Sequence, residues 1–495
     1  MPGQYEITWP LRNSDLKSPA ISVEVRLFQT RFQTFQQGFS MRDLTSGPVT
    51  KTLIALAVPT AFGMLFQTLY LLVDLYFIAG LGDAAVAGVG SAGTLMFAVM
   101  AFTQVLAVSS VALVSQAVGR KQRDEANHYF NQGMLVAVCM CVLTLLLGYS
   151  FANNFMTAIA ADEATREAGI TFMFALLPGM SLQFVIMTMV SALRATGIVK
   201  PGMMVQVSTV LLNTILAPVL IAGWGPGPAL GVMGAGLATT ISCIVGVCML
   251  VFYFVKLEKY VAFNFAQWKP DFSIWKRMLV IGLPAGGEML LMFVYFSLVY
   301  ILIQDFGAEA QAGFSIGGRI MQSIFMPNMS IAFAIAPMTG QNYGAGMADR
   351  VREISRKGIM LSAAVMGVVM LVLQINPYFA VTFFTSEAAV IEIGGEFLRF
   401  ISLNFIAQGV VFSCSGMFQG LGNTRPSLMS SMIRLAIFIP LAFGVAAMDG
   451  FAIHDIWYVS IAAVWFQAVV SWLLVQRELR LKLGNPAVVV AGEPG

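Results

Sequence analysis

Long apolar stretches separated by short polar breaks recur from residue 53 to residue 476. Each is about 20 residues or longer, the length a helix needs to cross the hydrocarbon core of a bilayer. Helices satisfy their own backbone hydrogen bonds, so the pattern predicts an all-α polytopic membrane protein. The twelve predicted transmembrane helices lie near 53–79, 86–117, 130–151, 168–192, 203–223, 231–255, 275–304, 310–340, 359–380, 391–417, 428–448 and 455–476.

Composition excludes several classes of protein. Of 495 residues, 58% are hydrophobic and 11% are charged, and the mean hydropathy is +0.79. Soluble domains carry about 25% charged residues, so an ordinary soluble enzyme and a disordered chain are both excluded. A net charge of +3 gives no indication of nucleic-acid binding. The five cysteines all lie in apolar stretches without a CxxC pair, and are interpreted as packing residues rather than a metal site.

Basic residues in the short links predict the orientation. They cluster in the 2–3, 6–7 and 8–9 links and after the last helix: Arg120, Lys121, Arg123, Lys256, Lys259, Lys269, Lys276, Arg277, Arg350, Arg352, Arg356, Lys357, Arg477, Arg480 and Lys482. The opposite links are acidic or neutral apart from Arg166. Lys and Arg in short loops mark the cytoplasmic side, so we expect a cell (inner) membrane protein with both termini in the cytoplasm.

The ends of the chain differ from its centre. Residues 1–40 are mixed polar and lack the apolar segment of a signal peptide, so a disordered or loosely held tail is expected. A weaker alternative is an amphipathic surface helix over Val23–Phe35, and the run from Met41 is typical of a natural chain start. The predicted organisation is a tail at 1–40, an N-lobe at 41–255, a linker at 256–277, a C-lobe at 275–480 and a tail at 481–495.

The two halves of the chain repeat each other at an offset of 225 residues. Between 59 and 133 there are 16 identities in 75 positions without a gap, among them Pro59 with Pro284 and Tyr70 with Tyr295. Six helices per repeat place both halves in the same orientation. Parallel repeats of this kind occur in transporters that bind substrate between the halves. We therefore predict two pseudo-symmetric six-helix lobes.

Several segments, in this order and spacing, resemble the multidrug and toxic compound extrusion (MATE) family, and most of all its DinF-like branch. The segments are MRDLTSGPV, ALAVPTAFGMLFQTLYLLVDLYFIAGLG, SQAVGR, LRATGIVKP, LLNTILAP and FQGLGNTRP, within about residues 41–480. The resemblance implies a monomeric antiporter, not an enzyme. It would export small organic, often cationic, compounds in exchange for H⁺ or Na⁺ by alternating access of two lobes, with no other cofactor.

Asp74 is the main candidate for coupling, because ionisable residues inside transmembrane segments are costly and often functional. It lies 15 residues after Pro59, and Tyr70 and Gln67 precede it by four and seven positions on the same helix face. Burial disfavours the charged carboxylate and a bound cation favours it, so the group can load and unload. The resemblance implies an aspartate at this same position, and Na⁺ at Asp74 is the only metal expected. The alternative is a carboxylate that merely fixes helix packing.

Asn213 and Thr239 are further candidates for the coupling site. The family often has Asn followed four positions later by Asp in helix 5, but here Asn213 is followed by Ala217. Asn213 and Thr239 would then supply neutral oxygens, or simply interhelical hydrogen bonds.

Glu288 and Tyr295 are candidates for lining the cavity of the C-lobe, as Gln67 and Tyr70 are in the N-lobe, and the alternative for Glu288 is a carboxylate held by a neighbouring helix. Related transporters often carry a glutamate eight positions after the helix-7 proline, where this chain has Met292, so the role of Glu288 cannot be transferred from them. Pro59 removes a backbone hydrogen bond and is a candidate hinge in helix 1, or a static kink.

Three basic residues near helix ends, Arg194, Lys200 and Arg425, are expected to anchor the chain at the cytoplasmic surface. The main alternative function is a lipid-linked oligosaccharide flippase of the same superfamily. Such a protein favours a cavity rich in Arg and Lys, and the chain shows few intramembrane cations, chiefly Arg319 and Arg399. The sequence has no Asp-rich motif of the kind that a prenyltransferase needs. It also has no Walker-type loop, so transport powered by ATP is not expected.

Overall fold

The structure is a computed structural model that describes residues 43–224, 227–258 and 260–484, without the side chains of residues 67–75. The expectations for residues 1–40 and for most of the tail 481–495 concern residues outside this description. Twelve helices among the described residues are long and apolar enough to cross a membrane. The described residues contain no strand, and the prediction of an all-α polytopic membrane protein is confirmed.

The first half comprises six helices, α1 (Val49–Ala79), α2 (Asp83–Gly119), α3 (Arg123–Ile159), α4 (Glu163–Ala195), α5 (Lys200–Ala222) and α6 (Val232–Lys256). The second half comprises α7 (Phe272–Ile303), α8 (Ala308–Gly344), α9 (Ala348–Ile375), α10 (Ala388–Gly420), α11 (Arg425–Ala446) and α12 (Ile453–Leu483).

Two helices of the second half differ from the sequence prediction. Helix α9 ends at Ile375 rather than near 380, because Asn376 caps a separate short helix, Pro377–Thr382, whose first residue has no backbone N–H to continue the ladder. Helix α10 is interrupted by a 3₁₀ turn at Ser402–Asn404. The Ser402 hydroxyl donates to the Arg399 carbonyl at 2.9 Å and so competes with the regular backbone ladder.

Helix packing follows the sequence repeat. In the first half α4 packs against α2, α3 and α6, while α5 packs against α1 and α6; the second half has the equivalent contacts of α10 with α8, α9 and α12, and of α11 with α7 and α12. Between the halves, α2 packs against α7 as α8 packs against α1, and α2 crosses α8. The crossing of α2 and α8 therefore lies on the pseudo-twofold axis that relates the halves.

The α2–α8 crossing brings two backbones into contact at the end of the bundle that carries the basic links, which we call the basic end. A Cβ on Gly119 would collide with the carbonyl oxygen of Gln341, and a Cβ on Gly344 would collide with that of Gln116. These are equivalent positions at the 225-residue offset. Only glycine permits so close an approach at both places.

Two equivalent glutamines extend this contact to further helices. Gln116 Nε2 donates to the Gly420 carbonyl at 3.0 Å, and Gln341 Nε2 donates to the Ala195 carbonyl at 2.7 Å. Both side chains are buried, and each reaches the end of a helix in the opposite half. The interface at the basic end therefore contains two hydrogen bonds that are equivalent in the repeat.

The segment between α6 and α7 lies against the basic end of α3. Asn127, Asn131 and Gln132, on one side of α3, donate to backbone carbonyls of this segment at 2.6–3.1 Å. The Asp271 carboxylate then caps α7 by accepting from the Ser273 and Ile274 amides. Hydrogen bonds from the Ser273 hydroxyl and from His128 hold the pKa of Asp271 below its ordinary value. The start of the second half is thus fixed to the first.

Gly119→Ala is expected to separate the halves at the basic end, because the carbonyl oxygen of Gln341 must retreat by on the order of 1 Å or more to reach van der Waals separation. Spin labels at Gln122 and Met347, in a chain with its five cysteines replaced, would report a longer or broader distance distribution. The matched control is Gly93→Ala, on the same helix, where a Cβ meets nothing within 4 Å. Identical distributions for both variants would contradict a backbone contact at the crossing.

Candidate functional site

In the first half, the two neutral candidates lie together. Asn213 on α5 is fully buried and its Nδ2 donates to Thr239 Oγ1 on α6 at 3.3 Å. Thr239 in turn donates to the Ala235 carbonyl. A buried amide and a hydroxyl at this distance offer neutral oxygens between α5 and α6.

The remaining first-half candidates are on α1. Asp74, Tyr70 and Gln67 belong to this helix, but their side chains lie outside the described residues. Pro59 lies in the interior of α1, ten residues after its first residue Val49, so it removes a hydrogen bond from the middle of the ladder.

In the second half, Glu288 on α7 accepts two hydroxyls from α11. Ser427 Oγ donates to Glu288 Oε2 at 2.8 Å, and Ser431 Oγ lies 3.3 Å from Oε1. Gln467 on α12 donates to Ser431 at 3.1 Å. The residue Glu288 is partly exposed, whereas Ser427, Ser431 and Gln467 are buried, so the carboxylate is held by groups of the protein interior.

Arg434 lies on the same face of α11, one further turn along, and interacts electrostatically with Glu288. Its guanidinium stacks on the Tyr295 ring at 4.8 Å, and Tyr295 Oη shares a 2.7 Å hydrogen bond with Ser460 Oγ. Tyr295 also packs against the apolar core of the second half. Opposite charges therefore face each other inside one half, which reduces the cost of holding either there.

Two polar atoms of this network have unused hydrogen-bonding capacity. Arg434 Nε and Gln467 Oε1 are buried without a hydrogen-bond partner among the residues that the structure describes. Buried polar groups are normally satisfied, and ordered water is the usual partner when protein atoms are not. The network is thus polar enough to hold water beside Glu288.

Arg194 occupies a different place from the expected surface anchor. It is 9% exposed, it stacks on the Phe333 ring of the second half at 4.7 Å, and it donates to Ser191 Oγ at 3.0 Å. Residues from α2, α8 and α10 line a small cavity beside it. The expectation of a surface anchor is wrong for Arg194, because the end of α4 is covered by the opposite half.

Sequence reasoning missed Arg434 and the two serines that donate to Glu288. Arg434 lies within the predicted span 428–448, where an intramembrane charge indicates function by itself. The spacing also places Ser427, Ser431 and Arg434 on one face of the helix. The sequence alone therefore indicated a polar face that ends in a cation.

Twelve membrane helices in two equivalent halves that meet at one end, with polar groups inside each half, define a multi-pass membrane transporter rather than an enzyme. The MatE family model matches residues 59–219 and 284–443, once in each half. The chain belongs to the MatE family, so the resemblance noted in the sequence and the twelve-helix, two-lobed fold are confirmed.

Curated relatives cover most of the chain at low identity. The chain is 25% identical over 407 residues to "Multidrug export protein MepA" of Staphylococcus aureus strain N315, covering 81% of this chain and 88% of the relative. It is 23% identical over 430 residues to "Probable multidrug resistance protein YoeA" of Bacillus subtilis strain 168, covering 86% and 93%.

Among solved structures, "Crystal structure of MATE in the straight conformation" superimposes with a TM-score of 0.84 at 22% identity, covering 89% of this chain and 98% of that one. This similarity shows that the fold is shared.

Glu288→Gln and Arg434→Met are each expected to destabilise the protein. A lost hydrogen bond to a charged group costs about 1.5–3 kcal/mol, and each variant also leaves the opposite charge without compensation. The double variant is expected to lose less than the sum of the two, because no lone charge remains. Melting temperatures of purified protein measure this. Glu309→Gln, at an exposed site, is the control and is expected to melt like the parent. Strict additivity would show that the two charges do not interact.

Proposed function

We propose that the chain is a secondary-active exporter of small organic compounds that exchanges them for H⁺ or Na⁺ by alternating access of its two halves. The observation that carries this proposal is the α2–α8 crossing at the basic end, where equivalent glycines and glutamines join the halves. Backbone contacts and single side-chain hydrogen bonds of this kind can separate without unfolding either half. The proposed transport cycle opens this end while the opposite end closes.

The relatives support the substrate class. MepA is described as a multidrug export protein and YoeA as a probable multidrug resistance protein, and the chain covers 88% and 93% of their lengths. We extend small organic substrates, including cations, to this chain from those descriptions and from the shared family. The protein would work as a monomer surrounded by membrane lipids.

Asp74 is proposed as the coupling carboxylate, with Asn213 and Thr239 as neutral partners. In the first half, α5 and α6 carry no Asp, Glu or Arg, and their only charges are Lys200 and Lys256 at the ends. These two helices therefore offer no arginine to compensate an aspartate on α1. A proton or Na⁺ is the partner that remains, and its arrival or departure changes the net charge of the half.

Glu288 is the less suitable coupling group, because two hydroxyls of α11 already donate to its carboxylate and Arg434 lies on the same helix. We propose that Glu288 lines the cavity and attracts cationic substrate. Pro59 is proposed as the hinge that lets α1 respond to the charge of Asp74. With the basic end in the cytoplasm, both termini are cytoplasmic and export is directed outward across the cell membrane.

Asp74→Asn is expected to abolish coupled export, because asparagine keeps the shape of aspartate but neither titrates nor carries a charge for Na⁺. The measurement is ethidium movement in proteoliposomes under an imposed pH gradient and, separately, under an imposed Na⁺ gradient. The gradient that drives the parent protein identifies the coupling ion, and Asp74→Asn is expected to respond to neither by more than about a hundredth of the parent rate.

The matched control is Asp83→Asn, an exposed carboxylate at the start of α2 that is expected to transport at the parent rate. Normal insertion and monodispersity of Asp74→Asn distinguish a coupling defect from misfolding. Coupled export by Asp74→Asn at the parent rate would remove Asp74 from the mechanism, and export without any gradient dependence in the parent would overturn the proposed function.

A further inference from the structure

A groove of about 480 Å³ runs along the outer face of α7 at the basic end, bordered by the start of α11. It is separate from the α2–α8 crossing and from the Glu288 network. The side chains that matter for its chemistry are Phe272, Trp275, Lys276, Leu279, Leu283 and Arg425. Spacings of three and four residues place the first five on one side of α7.

Two cations define one end of this groove. Lys276 and Arg425 are both exposed, and neither has a hydrogen-bond or ion-pair partner among the residues that the structure describes. Helices α7 and α11 are held together here because the Thr424 hydroxyl donates to the Ile281 carbonyl. The two cations are therefore presented by a rigid pair of helices, although no protein anion lies between them in the described chain.

The rest of the groove is apolar and exposed. Leu279 is 48% exposed and Leu283 is 52% exposed, and they follow Lys276 by three and seven residues towards the middle of the membrane. At 1.5 Å per residue the wall from Phe272 to Leu283 extends about 16 Å, close to half the hydrocarbon thickness. The Trp275 indole at the charged end is fixed by its 2.8 Å bond to Gln132 Oε1.

The same pair of cations occurs in the first half. At the 225-residue offset Lys276 corresponds to Lys51, and Arg425 corresponds to Lys200. The buried chemistry of the two halves differs, since Glu288 corresponds to Gly63, yet both halves keep two basic residues at the starts of the paired helices. Both halves meet the same membrane boundary, but their interior residues differ. The repeated cations are therefore associated with the membrane boundary rather than with the interior.

We propose that the α7–α11 groove binds one anionic phospholipid. The phosphate lies between Lys276 and Arg425, and an acyl chain follows Leu279 and Leu283 into the membrane. Basic residues between helices at a membrane boundary are known to bind anionic headgroups, and the aromatic Phe272 and Trp275 suit the headgroup level. A zwitterionic lipid fits the apolar wall equally well, but its own ammonium opposes the two cations.

The test measures quenching of tryptophan fluorescence by phospholipids with brominated acyl chains, using the full chain in nanodiscs of unbrominated phosphatidylcholine. Brominated phosphatidylglycerol is expected to quench at low mole fraction, while brominated phosphatidylcholine quenches only in proportion to its bulk share. Trp275→Phe is expected to remove the saturable part of the quenching, which assigns it to this groove rather than to the other tryptophans.

Lys276→Gln combined with Arg425→Gln is expected to weaken phosphatidylglycerol binding roughly tenfold or more, since each cation near the membrane surface contributes to attraction of anionic lipid. The matched control is Arg477→Gln combined with Arg480→Gln, which removes the same charge from the same end of the bundle outside the groove. Each single groove variant provides a second reading if the double variant aggregates. Equal affinity in groove and control variants, or saturable quenching by phosphatidylcholine, would overturn the proposal.

Discussion

The architecture depends on a backbone-to-backbone approach between α2 and α8. Gly119 and Gly344 are each so close to a carbonyl oxygen of the other helix that a methyl group has no room, and the positions are equivalent in the repeat. Because the contact lies on the pseudo-twofold axis, one steric requirement appears twice in the sequence. Gln116 and Gln341 then bond to the opposite half in the same symmetric way. The α2–α8 crossing is therefore specified by few residues, and none of these four carries a charge.

Away from the axis the two halves have diverged in chemistry while keeping the same helix contacts. Where α1 approaches α5, Gly63 faces Gln206; at the equivalent place Glu288 on α7 faces Ser431 on α11. A small residue and a long polar one have exchanged helices, so the filled space stays similar. The exchange moves a carboxyl group into the second half, where Arg434 lies on the next turn of α11. Close packing therefore constrains the combined volume of the two side chains more strongly than their identities.

The features that could be predicted from the sequence are those that hydrophobic periodicity and internal repetition determine. The twelve helices follow from apolar length, and the two equivalent halves follow from a constant offset, because both depend on the membrane and on backbone geometry rather than on particular contacts. The pairing of Asn213 with Thr239 was also predictable. Arg194 was not, since its position at a helix end looks exposed until the opposite half covers it. The break of α10 at Ser402–Asn404 depends on a local hydrogen bond that competes with the ladder, and the apolar pattern does not register it. The pairing of Arg434 with Glu288 links residues 146 positions apart and needed the fold.

The unequal halves have a consequence for energy coupling. Hydrogen bonds from Ser427 and Ser431 and the positive charge of Arg434 favour the charged form of Glu288, whereas burial opposes it. Helices α5 and α6 offer no arginine to α1, so the proposed coupling assigns the countercharge of Asp74 to a small cation. In the proposed mechanism a single ion acts on Asp74 in the first half, while the second half, whose carboxylate already has partners within the protein, does not respond to it.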